Sequence, residues 1–92
     1  MGVDLIKWIK RGKQRRAVTM SLRKPMTGSE IWAEARVRAP RIELRDVWFL
    51  LRQMRDARLV ECVNPGEVTG RLYRYTDLGR EIVYQAFDIA RA

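Results

Sequence analysis

Arginine is the residue type in this sequence with the most chemistry to offer. In the stretch Leu44–Val60, LRDVWFLLRQMRDARLV, helical spacing puts Arg45, Phe49, Arg52 and Asp56 on one side of a helix, with Trp48 at its margin. A guanidinium forks onto the two acceptors of a guanine edge in a major groove, or onto two oxygens of one phosphate. Phe49 offers apolar contact to a thymine methyl. Trp48 is expected to pack beneath a neighbouring loop or, with Phe49, to form a protein-binding patch, since aromatic residues are favoured at interface cores.

Other chemistries find little material. Glu30/Glu34 and Asp77/Glu81 are carboxylates four residues apart, but no nucleophile–base pair or metal cluster accompanies them. Cys62 is the single cysteine and histidine is missing, which excludes an intramolecular disulfide, a Cys/His zinc site and a histidine-based triad. Cys62 is expected to act as a small buried apolar residue. No enzyme activity, cofactor or metal is expected.

The chain has 92 residues and a formal net charge of +8, with 47% apolar and 33% charged residues. These values fit one small folded domain with an affinity for polyanions, nucleic acid first and an acidic membrane surface second. From Leu5 to Ser29 every charged residue is basic: Lys7, Lys10, Arg11, Lys13, Arg15, Arg16, Arg23 and Lys24. This run supports a further reading as an RNA or non-specific nucleic-acid binder. The apolar run Val3–Ile9 is interrupted by Asp4 and Lys7 and is too short to span a bilayer. A cytoplasmic protein without a membrane contact is expected.

The elements that hold the arginines follow from period and caps. Val47, Leu50, Leu51 and Met54 fall at i, i+3, i+4 and i+7 and form an apolar stripe on a helix over about 44–57. Glu43 and Asp46 suit the positive end of its dipole. At Leu59 and Val60 the period turns to alternation. Upstream, Thr27-Gly28-Ser29-Glu30 has the spacing of a capping box and opens a helix over about 28–38, which carries Ile31, Trp32 and Ala35 and ends before Pro40. Two helices joined by a short turn predict a helix-turn-helix.

Residues 3–11 predict an amphipathic helix with Leu5, Ile6, Trp8 and Ile9 on one side. Gly12 separates it from a helix over roughly 13–23 whose core is Ala17, Val18 and Leu22, and Lys24-Pro25-Met26 breaks that helix. Strand-like runs at 59–63 and 71–75 flank Asn64-Pro65-Gly66 and Gly70, which predicts a hairpin with a longer loop, Tyr73 and Tyr75 inward and Arg74 outward. Thr76-Asp77 caps a last helix over about 77–90 with Leu78, Ile82, Val83, Ala86, Phe87, Ile89 and Ala90 on its apolar side. That stripe and the one at 3–11 are wider than a small core needs. A homodimer through Leu5, Trp8, Ile9, Val83 and Phe87 is expected, the alternative being that the two stripes cover each other within one chain. The expected fold class is mainly α with a small β-hairpin: a winged helix-turn-helix with N- and C-terminal flanking helices. It is read as one domain over 1–92, with its core at 13–76.

Three motifs carry a resemblance. Thr27-Gly28-Ser29-Glu30-Ile31 resembles a T-x-S-E-I helix opening. Val47–Val60 is similar to V-x-x-x-L-x-x-L-x-x-x-G-L-V. Gly70–Gly79 looks like G-R-x-Y-x-L-T-x-x-G. In this order they resemble prokaryotic winged helix-turn-helix transcriptional regulators, small archaeal ones and the ArsR- and MarR-like groups, over roughly residues 13–83. The resemblance implies a regulator that binds duplex DNA as a homodimer, with the 44–57 helix in the major groove and the 64–70 wing beside it. It implies Arg45, Trp48, Phe49 and Arg52 on the recognition surface, Arg71 flanking the wing, Arg41 in the turn, and Thr27 and Ser29 at phosphate. The chain departs from the pattern at Trp48 and Phe49, where small or polar residues are usual. It departs at Arg58, which replaces a glycine and predicts a strained φ or a different cap. It departs in the wing, which carries Glu67 and no basic residue before Arg71. The alternative function is a winged-helix protein-interaction module using Trp48 and Phe49.

Overall fold

The computed structural model describes residues 2–87, with side chains from Leu5 onward. Five helices run in order: α1 (Gly2–Arg11), α2 (Lys13–Ser21), α3 (Gly28–Arg38), α4 (Leu44–Asp56) and α5 (Asp77–Phe87). Three short strands accompany them: β1 (Met26–Thr27), β2 (Val60–Cys62) and β3 (Leu72–Tyr75). They form an antiparallel sheet of order β1-β3-β2, with Met26 opposite Tyr73 and Val60 opposite Tyr75. This mainly helical arrangement with a small sheet is compatible with a winged helix. The hairpin β2–β3 is the expected one. Strand β1 is not expected from the sequence, because two residues are too few to show alternation and only pairing with β3 defines them. Ile89 and Ala90, expected on the last helix, lie outside the described residues.

Helices α2, α3 and α4 pack on one another. Ala17 and Val18 of α2, Ile31 and Ala35 of α3, and Val47, Leu51 and Met54 of α4 are almost fully buried. Each larger apolar side chain removed from water contributes about 1.5–3 kcal/mol, so the inner stripe of α4 is its main anchor. The buried hydroxyls of Thr19 and Ser21 donate back to the carbonyls of Arg15 and Ala17, both at 2.6 Å, so α2 enters the core with no unmet donor there.

Helices α1 and α5 pack on each other. Ile9 is completely buried and Val83 nearly so, while Leu5, Trp8 and Phe87 lie half-buried against the same core. Of the expected dimer surface, Ile9 and Val83 are thus covered within the chain and are not available to a second one, while Leu5, Trp8 and Phe87 keep part of their surface in solvent. Among the described residues no helix is long and apolar enough to cross a membrane.

Candidate nucleic-acid interface

Helix α4 is locked at both ends, and each lock has a local cause. At its N-terminal side the turn from α3 is tight. The Ala39 N–H donates to Ala35, the Ile42 N–H donates to Ala39, and both side chains are buried. The indole N–H of Trp32 on α3 donates to the Ile42 carbonyl at 2.9 Å, so one side chain spans the turn. The Glu43 N–H donates to the Asp46 carboxylate at 2.8 Å, which satisfies a free donor at the helix start. The ring of Trp48 lies over Gly28 and meets Tyr73 edge-on at 6.1 Å between centroids. A Cβ at position 28 would come within 2.8 Å of three atoms of that ring, so Gly28 is what lets α3 and α4 approach. Trp48 is therefore partly a positioning residue, joining α4 to α3 and β3, and its outer side remains 41% exposed.

At its C-terminal end α4 closes in a Schellman turn. The Leu59 N–H reaches the Met54 carbonyl at 2.8 Å and the Arg58 N–H reaches Arg55 at 2.9 Å. Arg58 takes φ of 63°, the strained conformation that its place in the glycine position predicts. Thr76 then ties this exit to α5. Its hydroxyl donates to the Arg58 carbonyl at 2.7 Å and accepts from the Gly79 N–H at 3.0 Å. A Cβ on Gly79 would collide with the Leu59 carbonyl oxygen, so the second glycine of the wing-exit motif serves close backbone contact.

Between these locks the outer face of α4 is open. Arg45, Phe49 and Arg52 are all exposed, as is Arg55 one turn beyond Arg52. Arg55 was not singled out from the sequence, although its i+3 spacing from Arg52 is visible there. Arg45 pairs with Glu43 at 3.0 Å, but 82% of its side chain is in solvent. Such a pair is worth little and exchanges readily for another anion. Arg41 is exposed in the turn.

The remaining expected contacts are differently placed. Arg71 is half-buried, and its Nε donates to the Glu67 carbonyl at 2.6 Å, so it holds the wing loop together. Asn64 does the same from within, accepting from the Leu72 N–H at 2.7 Å and donating to Gly70 at 3.2 Å. The wing tip presents Val68, 90% exposed, and the exposed Glu67. At the start of α3 the capping box is complete: the Glu30 N–H donates to the Thr27 hydroxyl and the Thr27 N–H to the Glu30 carboxylate. That carboxylate already neutralises the helix start, and the Thr27 N–H, followed by its hydroxyl, lowers the pKa of Glu30 from its ordinary value. Thr27 is thus engaged within the chain, while Ser29 is exposed.

Three of the eight cations in the basic run at 7–24 are engaged within the chain. Arg15 donates to the Trp8 carbonyl at 3.1 Å and stacks over the Trp8 ring at 4.6 Å. Arg16 donates to the Lys10 carbonyl at 2.6 Å. These guanidiniums satisfy carbonyls at the C-terminal end of α1, where cations suit the dipole. Arg23 pairs with Glu34 at 2.9 Å. Among the described residues no group of three or more Cys, Asp or Glu side chains gathers where a metal ion would sit. Comparison with protein-family models, curated proteins and solved structures finds no match to this chain.

Proposed function

We propose that this protein binds duplex DNA as a winged-helix transcriptional regulator, with the outer face of α4 in the major groove and the 64–70 wing beside it. One observation carries the reading. Arg45 and Arg52 are exposed on one side of a helix whose opposite side, Val47, Leu51 and Met54, is buried. A helix held rigidly in this way presents its arginines at fixed spacing, as groove reading requires. The net charge of +8 adds attraction to any duplex. The wing in this reading supplies shape and apolar contact through Val68 in place of charge.

A homodimer reading half-sites about one helical turn apart needs a surface other than Ile9 and Val83, which lie inside the chain. Fluorescence anisotropy with labelled duplexes tests the main reading. Binding that falls steeply with salt and weakens in Arg45→Ala and Arg52→Ala supports it; no binding at low salt overturns it. Phe49, 62% exposed at the centre of the same face, favours a second reading as a protein-contact surface. A pull-down that requires Phe49 and tolerates both arginine substitutions selects that reading.

A further inference from the structure

The elbow between α1 and α2 does not stand apart from α4. Arg11, Gly12 and Lys13 share an open cleft of about 560 Å³ with Asp46, Phe49 and Gln53 of α4. Phe49 belongs to the outer face described above, so the elbow borders that face directly. Arg11 and Lys13 are exposed, and neither takes part in the internal bonds that hold Arg15 and Arg16 to α1. The cleft's one carboxylate, Asp46, is turned to the Glu43 N–H at the helix start. The amide oxygen of Gln53 is buried without a partner and adds an uncharged acceptor beside that carboxylate, while the third cation lining the cleft, Arg15, is turned to the Trp8 carbonyl and ring. The cationic character of this border therefore rests on the elbow.

We propose that the α1–α2 elbow grips the phosphate backbone flanking the groove that α4 enters, through Arg11 and Lys13. This rests on the DNA-binding reading above and extends it to a surface outside the helix-turn-helix. An elbow that meets only phosphate adds affinity and salt dependence and carries no base preference. A base-reading arginine behaves otherwise, because its fork is specific to the guanine edge. The two kinds of interaction separate experimentally.

The test measures Kd for a preferred and a scrambled duplex across a salt series, using the full chain. In Arg11→Ala/Lys13→Ala the slope of log affinity against log salt is expected to flatten by about 1.8, at about 0.9 for each phosphate no longer neutralised, for both duplexes alike. Arg11→Lys is expected to keep the original slope, because a phosphate accepts either cation. Arg74→Ala/Arg80→Ala serves as the control pair. These two residues line a different cleft, and each is held in an exposed ion pair, with Glu61 and Asp77 respectively. An elbow variant with an unchanged slope overturns the proposal while leaving DNA binding intact, and so does a control pair that flattens the slope as much. Failure of the unaltered chain to bind either duplex removes the parent reading and this one together. A thermal melt of each variant checks that the fold is retained, and both elbow side chains are exposed, so little change is expected.

Discussion

The molecule has two arginine-rich regions, and they differ in what the guanidiniums do. In α2 and just after it, Arg15, Arg16 and Arg23 are bound to the Trp8 carbonyl, the Lys10 carbonyl and the Glu34 carboxylate. On α4, Arg52 and Arg55 project from an exposed face, and Arg45 is held only by a solvent-exposed pair. Composition does not distinguish the two regions. What separates them is the neighbour: α1 ends against α2 with carbonyls to satisfy, whereas on the outer face of α4 Arg45, Phe49, Arg52 and Arg55 are exposed. Positive charge near a helix C-terminus is first of all a capping resource, and only the charge left over is available to a partner.

Substitutions can break this contrast. The largest effect is expected from Arg45→Ala combined with Arg52→Ala. Duplex affinity should fall about 5- to 150-fold for each residue, at about 1–3 kcal/mol per good bidentate pair. Thermal stability should stay within about 0.5 kcal/mol, because neither side chain supports the core. Anisotropy titration and a melt of the same sample read both quantities.

Arg15→Ala should invert the pattern. Removing a charged hydrogen bond and a stacked ring partner is expected to lower stability by about 1.5–2 kcal/mol in a denaturant titration. DNA affinity at a temperature where the variant is folded should change less than threefold. If Arg15→Ala weakens DNA binding as much as the α4 substitutions do, the contrast fails.

Tyr75 sharpens the structural half of the comparison, because it ties the basic helix to the sheet. Its hydroxyl donates to the Thr19 carbonyl at 2.5 Å, and burial pushes its pKa well above the ordinary value of 10.0. A folded-state pKa raised above the unfolded one contributes stability that is fully present below about pH 10 and is lost as pH rises beyond it. Tyr75→Phe is therefore expected to cost about 1 kcal/mol at neutral pH, because the hydrogen bond is gone. The gap to the unaltered protein should narrow above pH 10 in alkaline melts.

The smallest effect belongs to an arginine of a third kind. Arg58 is exposed but sits at φ of 63° in the Schellman turn. Arg58→Gly relieves that conformation but loses more backbone entropy on folding, so it should raise stability by only about 0.5 kcal/mol and leave duplex affinity unchanged. A loss of stability on this substitution would mean that the Arg58 side chain makes a compensating contact.

Much of this architecture was legible in the residues themselves. The capping box at Thr27 and Glu30, the buried stripe of α4, the break at Gly12 and the strain at Arg58 each depend on neighbours within a few positions, and the sequence states those neighbours. The sites were less legible. Arg71 and Thr27 have the residue types of phosphate contacts, yet their partners are Glu67 and Glu30. Ile9 and Val83 have the spacing of an open interface and are buried instead.

By itself the sequence determined where the helices begin, which of their faces are apolar and how strongly basic the whole is, because these rest on local geometry and side-chain chemistry. Only the tertiary structure decided which charges remain free. It brought α1 against α5, joined Met26–Thr27 to β3 and laid Trp48 over Gly28, contacts between residues far apart along the chain. No periodicity encodes such contacts, since they depend on how complementary faces fit once they meet in space.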